Sequence, residues 1–234
     1  MDRRLFTSRT ASLLTLLTVS TCRQAYALTL ADLSNTDATK GLKEALEKGA
    51  LSAIGILCVE NGFLGNERVR INLPGALNDA GKLLHRFGQG ARVDELVTAM
   101  NRGAEAAAPQ AKSLLSNAVQ TMTVNDAKGI LSGGDTAVTD FFATKTRSAL
   151  AVTFLPVVTR ATERVGLIDK YNEVAGKAAE VGLLRKEDAN IQQYVTSKTL
   201  DGLFFMISEE ERMIRQNPVS YGSAILTKVF GALR

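Results

Sequence analysis

The sequence predicts an all-α fold, a single multi-helix domain of about eight helices with at most one short extended segment near residues 68–73. Alanine and leucine are abundant, and alanine favours helix because its side chain loses no entropy there. Apolar residues recur every three or four positions along most of the chain, which is the helical period. Residues 68–73 instead alternate apolar and polar, as a half-buried strand does.

Residues 1–27 have the pattern of a secretory signal peptide. Arg3 and Arg4 open a basic segment, and the apolar stretch that follows is too short to span a bilayer as a stable helix. Ala25 and Ala27 place small residues at the positions that a signal peptidase favours. We therefore expect cleavage after Ala27, a mature chain of residues 28–234 and a periplasmic location.

Two details of this segment concern the export route. The pair Arg3–Arg4 resembles the core of a twin-arginine signal, but paired arginines are also common in general secretory signals. The sequence "VSTC", ending at Cys22, resembles a lipoprotein box, although Thr21 is bulkier than the residue usual there. We expect Cys22 to leave with the signal, so that Cys58 is the single cysteine of the mature chain and no internal disulfide forms.

The charge balance depends on the same segment. The full chain has 28 lysines and arginines against 24 aspartates and glutamates. Without the four arginines and one aspartate of residues 1–27, 24 basic residues face 23 acidic ones. A nearly neutral mature chain gives no argument for nucleic-acid binding, and no transmembrane segment is expected once the signal is removed.

The first part of the mature chain is predicted to form one helix and one connector. Ser34, Asn35 or Asp37 can cap a helix whose apolar stripe ends at Leu57, and the turn signal Asn61–Gly62 follows it. In residues 68–73, the alternation has no partner strand elsewhere in the sequence. We interpret it as an extended connector or a short edge strand, held extended before Pro74.

The next helices are delimited by proline, glycine and capping residues. A helix after Pro74 has a predicted apolar stripe of Leu77, Ala80, Leu84 and Phe87. A long helical stretch then bends or breaks near Pro109. Thr123 caps the following helix, Gly133–Gly134 ends it, and Asp135 is expected to cap the next one.

The last third of the chain continues the helical pattern. Pro156 is expected to divide residues 136–166 into two helical parts. A short helix over 169–182 is followed by the longest one, over 188–216, which the pair Asn217–Pro218 stops. A final helix is predicted over 221–233.

The most informative stretch is "LDGLFFMISEEERMIRQNP", residues 200–218. On a helical wheel, Phe204 lies on the apolar face, while Glu210 and Glu211 flank it and Arg215 lies one turn beyond Glu211. The simpler interpretation is an exposed ion pair, which contributes about 0.3–0.5 kcal/mol. The alternative is a partly buried carboxylate bonded to another helix, either as a structural latch or as the wall of a binding cleft.

Few side chains that support catalysis are present. His85 is the single histidine and is expected to face solvent, and Cys58 is expected to be a buried, inert thiol. One histidine and one mature cysteine offer no soft metal site, and no EF-hand spacing occurs. The sequence "SGGD", residues 132–135, lacks the lysine of a phosphate-binding loop. We therefore predict no catalytic, cofactor-binding or metal-binding residues and no cofactor.

Several motifs together resemble a known family. They include "LTLADLSNTDATKGLKEAL", "NGFLGNERVRINLP", "QTMTVNDAKGILSGGDTAVTDFF" and "LDGLFFMISEEERMIRQNP", in this order. From residue 28 onward, the chain resembles the bacterial domain-of-unknown-function family 4197. The resemblance implies an exported, all-helical protein with no assigned activity, and therefore no site residue is carried over from it.

Two functional hypotheses follow. The first is a binding or structural interaction module for an unknown protein or a small hydrophobic or polar ligand. Its groove would lie between helix 200–216 and segment 61–74, which can also add to a partner strand. Its candidate residues are Phe204, Glu210, Glu211 and Arg215. The second is a hydrolase whose carboxylates come from different helices, with Asp126 or Asp140 converging on the glutamates.

Overall fold

Eight α-helices account for most of residues 35–88, 90–163 and 168–217, which are the residues that the computed structural model describes. Their bounds, in chain order, are α1 Asn35–Leu57, α2 Gly75–Arg86, α3 Ala91–Ala107, α4 Ala111–Gln120, α5 Val124–Ser132, α6 Ala137–Thr162, α7 Ile168–Glu180 and α8 Ile191–Gln216. No β-strand occurs in these ranges, so the predicted all-α class is confirmed. The predicted signal with Cys22 and the predicted helix 221–233 lie outside them.

Helices α6 and α8, with 26 residues each, form the central pair of the domain. They run antiparallel, since Val138 at the start of α6 bonds to Glu211 near the end of α8, and Arg147 pairs with Asp201. Helix α3 packs on α6, α1 packs on α8, and α4 contacts both α1 and α6. The core between them contains fully buried Phe154 and Leu203.

Most predicted helix ends are confirmed, because they depend on local chemistry. A 3-10 helix, Ala108–Gln110, separates α3 from α4 at Pro109. The Thr123 side chain accepts a hydrogen bond from the Asp126 N–H, and the Asp126 carboxylate accepts one from the Thr123 N–H. This capping box opens α5, which ends before Gly133.

Two predictions about α6 are wrong. Its N-terminal flanking residue is Thr136 rather than Asp135, and the helix continues through Pro156 without division. Pro156 is exposed, so its ring does not displace a core contact. Since proline has no N–H, the carbonyl of Val152 lacks its usual helical donor.

The predicted apolar stripe of α2 is also wrong. Leu84 and Phe87 are exposed, and Leu77 is half-buried. A Cβ atom on Gly81 would lie 3.2 Å from Val93, so α2 approaches α3 through this glycine. Helix α2 therefore packs on α3 through the face that contains Gly81, and not through the face of large apolar residues that the sequence pattern indicated.

The second half of the connector 58–74 has a strand-like sequence pattern, and the structure shows its cause. Val69 and Ile71 are buried, as the alternation predicts, yet no strand pairs with them among the described residues. Instead, the buried side chain of Asn101 accepts a hydrogen bond from the Ile71 N–H and donates one to the Ile71 carbonyl, both at 2.8 Å. A side-chain amide thus takes the place of a neighbouring strand.

Candidate functional site

Glu211 links the C-terminal half of α8 to the start of α6. Its Oε1 accepts a hydrogen bond from the Val138 N–H at 3.0 Å, and its Oε2 accepts from the N–H and the hydroxyl of Thr139, also at 3.0 Å. Arg215 donates to Oε1 at 2.9 Å. Thr136 makes no side-chain cap, so a glutamate from another helix satisfies the free N–H groups of α6.

Glu210 and Phe204 are also buried within the packing of α8. Glu210 is 2 % exposed, and its Cβ lies 3.6 Å from the position of a Cβ on Gly49 of α1. Phe204 is 5 % exposed, with the Arg147 guanidinium 5.6 Å from its ring centroid. The simpler interpretation of the glutamates, an exposed boundary pair, is therefore wrong.

The space predicted to be a groove, between α8 and residues 61–74, contains packed side chains. The ring of fully buried Phe63 lies 2.7 Å from the position that a Cβ on Gly202 would occupy. Arg68 lies over the Phe205 ring and pairs with Glu209. A ligand role for Phe204, Glu210, Glu211 and Arg215 stays a prediction.

A small cavity lies beside Glu211 and Arg215, between α1, α6 and α8. Its volume is about 20 Å³, and apolar side chains such as Leu46, Phe142 and Ile207 form most of its wall. This volume is enough for about one water molecule. The cavity is therefore too small for an organic ligand.

A much larger depression, the α6–α8 groove, lies along the other half of the central pair. Its volume is about 450 Å³, within the usual range of about 300–1,000 Å³ for ligand pockets. The described residues that line it are Arg147, Ser148, Ala151, Val152 and Leu155 of α6 and Gln193, Thr196, Ser197 and Leu200 of α8. None of these residues is acidic.

The groove exposes apolar surface on α6. Val152 is 76 % exposed and Leu155 is 37 % exposed, although both belong to a central helix. Residues 148–159 contain no charged side chain. This uncharged run was the sequence signal that could have indicated the groove. The sequence interpretation missed it because it treated the run only as two helical parts around Pro156.

A residue that lines the groove, Thr196, has a buried hydroxyl without a partner among the described residues. Six threonines among the described residues donate to the carbonyl four residues before them: Thr121, Thr146, Thr153, Thr159, Thr162 and Thr199. Thr196 is 5 % exposed, and its Oγ1 forms no hydrogen bond to any described residue. An unsatisfied buried polar group costs about 1–3 kcal/mol, so its position in a groove requires an explanation.

One end of the groove is charged. Arg147 and Lys198 both pair with Asp201, the latter at 3.3 Å. Two cations therefore share one carboxylate, which leaves a local excess of positive charge. The rest of the groove wall is neutral.

The other sequence candidates lie elsewhere. His85 is exposed, as predicted, and its Nε2 lies 3.2 Å from Asp94 Oδ1. Cys58 is exposed, so the prediction of a buried thiol is wrong; α1 ends at Leu57, which faces the core, and the next residue points outward. Hydrogen bonds from the Thr123 N–H and hydroxyl lower the pKa of Asp126.

Sequence reasoning also missed Glu105, a further buried carboxylate. Its Oε1 accepts hydrogen bonds from the N–H groups of Phe63 and Leu64, both at 3.1 Å. Its Oε2 pairs with Arg102 at 2.6 Å. The available signal was an acidic residue on the alanine-rich face of α3, where an unpaired charge would be costly.

Within the described parts of the chain, no group of three or more histidine, cysteine or acidic side chains is placed to hold a metal ion. None of the helices described there has both the length and the apolar character needed to cross a bilayer. The fold and the groove define the class: an all-α domain with a partly apolar surface groove, charged at its Arg147 end, between the two longest of the described helices.

The chain belongs to the family described as "Protein of unknown function (DUF4197)", whose model matches residues 32–231. This match confirms the resemblance that the motifs indicated. No curated protein and no solved structure matches the chain.

Proposed function

We propose that this protein is an exported binding module of the periplasm, and that the α6–α8 groove holds its ligand. The observation that carries the proposal is a groove of about 450 Å³ whose α6 wall is uncharged from Ser148 to Leu155 and exposes Val152. Exposed apolar surface in a concave site is typical of ligand pockets, because binding removes that surface from water. The signal-like residues 1–27 support export.

The polar groups of the groove support the same function. The Thr196 hydroxyl has no protein partner, and the Val152 carbonyl lacks a helical donor because residue 156 is proline. Rotation about χ1 can exchange the hydroxyl and methyl positions of a threonine side chain. A bound molecule can therefore satisfy polar groups that the protein leaves unpaired, which gives it a defined orientation as well as apolar contact.

The test is a titration of the purified protein with Nile red, a neutral dye whose fluorescence rises in apolar surroundings. We expect saturable binding to the native protein and about tenfold weaker binding to Val152→Glu, because a carboxylate in the groove opposes desolvation. The matched control is Val181→Glu, which changes a valine that is 71 % exposed outside the groove.

Binding by Val181→Glu is expected to equal that of the native protein. Equal binding by Val152→Glu and the native protein would show that the dye occupies another surface. That result would overturn the assignment of the groove.

A further inference from the structure

We propose that the α6–α8 groove selects a medium-chain carboxylate, with its carboxylate at Arg147 and its alkyl chain along Val152 and Leu155. This inference rests on the proposed function and adds the chemical class of the ligand. It depends on three features of the groove: the shared cations at one end, the orientation of Arg147, and the neutral wall beyond them.

The first feature is the charge at the Arg147 end. Arg147 and Lys198 both contact Asp201, and no acidic residue lines the groove itself. If a ligand carboxylate takes Arg147, Asp201 keeps Lys198 as its partner. A second carboxylate can therefore bind here without leaving the first one unpaired, whereas a cationic head would add to the excess positive charge.

The second feature is the orientation of the guanidinium. Arg147 lies over the ring of buried Phe204, 5.6 Å from its centroid. Its Nη2 donates to Asp201, and a guanidinium has five N–H donors in all. Stacking on an aromatic ring limits the rotation of the side chain, so its remaining donors are oriented before a carboxylate binds. Phe204 then acts as a positioning residue.

The third feature is the neutral wall. From Arg147 to Leu155 the groove follows two turns of α6, a length of about 12 Å at 1.5 Å per residue. Along this length α6 contributes Ala151 and Val152, and α8 contributes Thr196. This length and a volume of about 450 Å³ suit a single alkyl chain rather than a folded partner.

The test is displacement of Nile red by decanoate, decanol and decyltrimethylammonium at concentrations below micelle formation. We expect decanoate to bind about tenfold more tightly than decanol, since charge-assisted hydrogen bonds to arginine exceed neutral ones, and decyltrimethylammonium to bind most weakly. In Arg147→Gln, decanoate and decanol are expected to bind equally. Decanol affinity, expected to be unchanged in this variant, verifies that the groove is intact.

The matched control is Arg160→Gln, which removes an exposed arginine of α6 that does not line the groove. It is expected to keep the preference for decanoate. Equal affinity of the native protein for decanoate and decanol, or an unchanged preference in Arg147→Gln, would overturn the carboxylate inference while the binding function remains. Both the binding function and the carboxylate inference would be overturned by two results together. None of the three compounds displaces Nile red, and Val152→Glu binds the dye as tightly as the native protein does.

Discussion

Two buried glutamates, Glu105 and Glu211, use the same arrangement of bonds in different parts of the molecule. Each accepts hydrogen bonds from two consecutive backbone N–H groups of a distant segment and pairs with an arginine on its own helix. A carboxylate removed from water requires such partners. At the scale of single residues, the packing of the long helices therefore depends on a few fully bonded charges.

The Glu211 linkage gives a stability prediction. Glu211→Ala is expected to lower the free energy of unfolding by about 3–5 kcal/mol, because Arg215 and two N–H groups lose their partner in a buried place. Glu173→Ala is the control, since Glu173 and Lys177 form a pair with the same four-residue spacing on an exposed face. It is expected to change the stability very little, because solvent screens an exposed pair.

Urea unfolding followed by circular dichroism measures both variants. Similar losses in the two would contradict the structural role of Glu211. Glu211→Gln, which keeps the shape of the side chain, is expected to fall between them, since it retains a hydrogen-bond acceptor but loses the charge.

Helical spacing could place Glu211 and Arg215 beside each other, but it could not show what lies opposite them. The sequence therefore could not decide whether Glu211 and Arg215 form an exposed ion pair or a buried latch. The partner N–H groups belong to Val138 and Thr139, more than seventy residues earlier in the chain. This contact depends on the tertiary structure, and so does the contact of Glu105 with residues 63 and 64. Helical spacing alone therefore cannot predict either of them.

At the scale of helices, α8 is long and lets the connector 58–74 approach it closely at one residue, Gly202. Gly202 lies in its interior, where glycine costs about 1 kcal/mol relative to alanine. The ring of Phe63 lies 2.7 Å from the position of its missing Cβ, and Val69 lies at 3.3 Å. The glycine thus allows the connector 58–74 to pack directly on the helix.

Gly202→Ala is expected to destabilise the protein by about 1–3 kcal/mol, because fully buried Phe63 has no room to move away. The matched control is Gly176→Ala in α7, where nothing lies within 4 Å of an added Cβ. That variant is expected to gain up to about 1 kcal/mol from helix propensity. Thermal unfolding separates the two, and a stabilised Gly202→Ala would contradict the packing described for Phe63.

Local signals predicted the helix ends well, since Thr123, Gly133 and Asn217 act within one turn of their own helix. Predictions that depend on packing failed. Pro156 did not end α6, because its ring is exposed while Phe154 and Val158, two residues away on either side, are buried in the core. The groove could not be predicted either, since it arises where Val152 on one helix lies opposite Thr196 on another.

At the scale of the whole molecule, two buried tyrosines join separate segments: Tyr171 links α7 to the residues before α8, and Tyr194 links α8 to the connector 58–74. The Tyr171 hydroxyl donates to the Asp188 carbonyl at 3.0 Å, and the Tyr194 hydroxyl donates to the Asn72 carbonyl at 2.7 Å. Burial raises the pKa of Tyr171 and raises that of Tyr194 to about 12, with a further contribution from the charge of Asp188.

These shifts predict loss of stability in alkali. The folded protein keeps both phenolic protons above pH 10, where the unfolded chain has begun to release them, so it binds more protons and its stability falls as pH rises. For Tyr194, the stabilisation is complete below about pH 10 and disappears as pH passes about 12. Urea midpoints between about pH 8 and 11.5 measure this dependence.

Tyr194→Phe is expected to be less stable at neutral pH by about 1 kcal/mol, because it loses one hydrogen bond. Its stability is also expected to fall less steeply above pH 10 than that of the native protein. Identical alkaline slopes in the two proteins would show that the Tyr194 phenol does not contribute.

The amide of Asn101 has a consequence for the behaviour of the protein in concentrated solution. An extended segment with free N–H and C=O groups is a template on which other chains can assemble into fibrils. Asn101 takes both backbone groups of Ile71, and Tyr194 takes the neighbouring carbonyl. These backbone groups of the extended segment are thereby closed to intermolecular pairing while the protein is folded, so a single asparagine acts against polymerisation at Ile71.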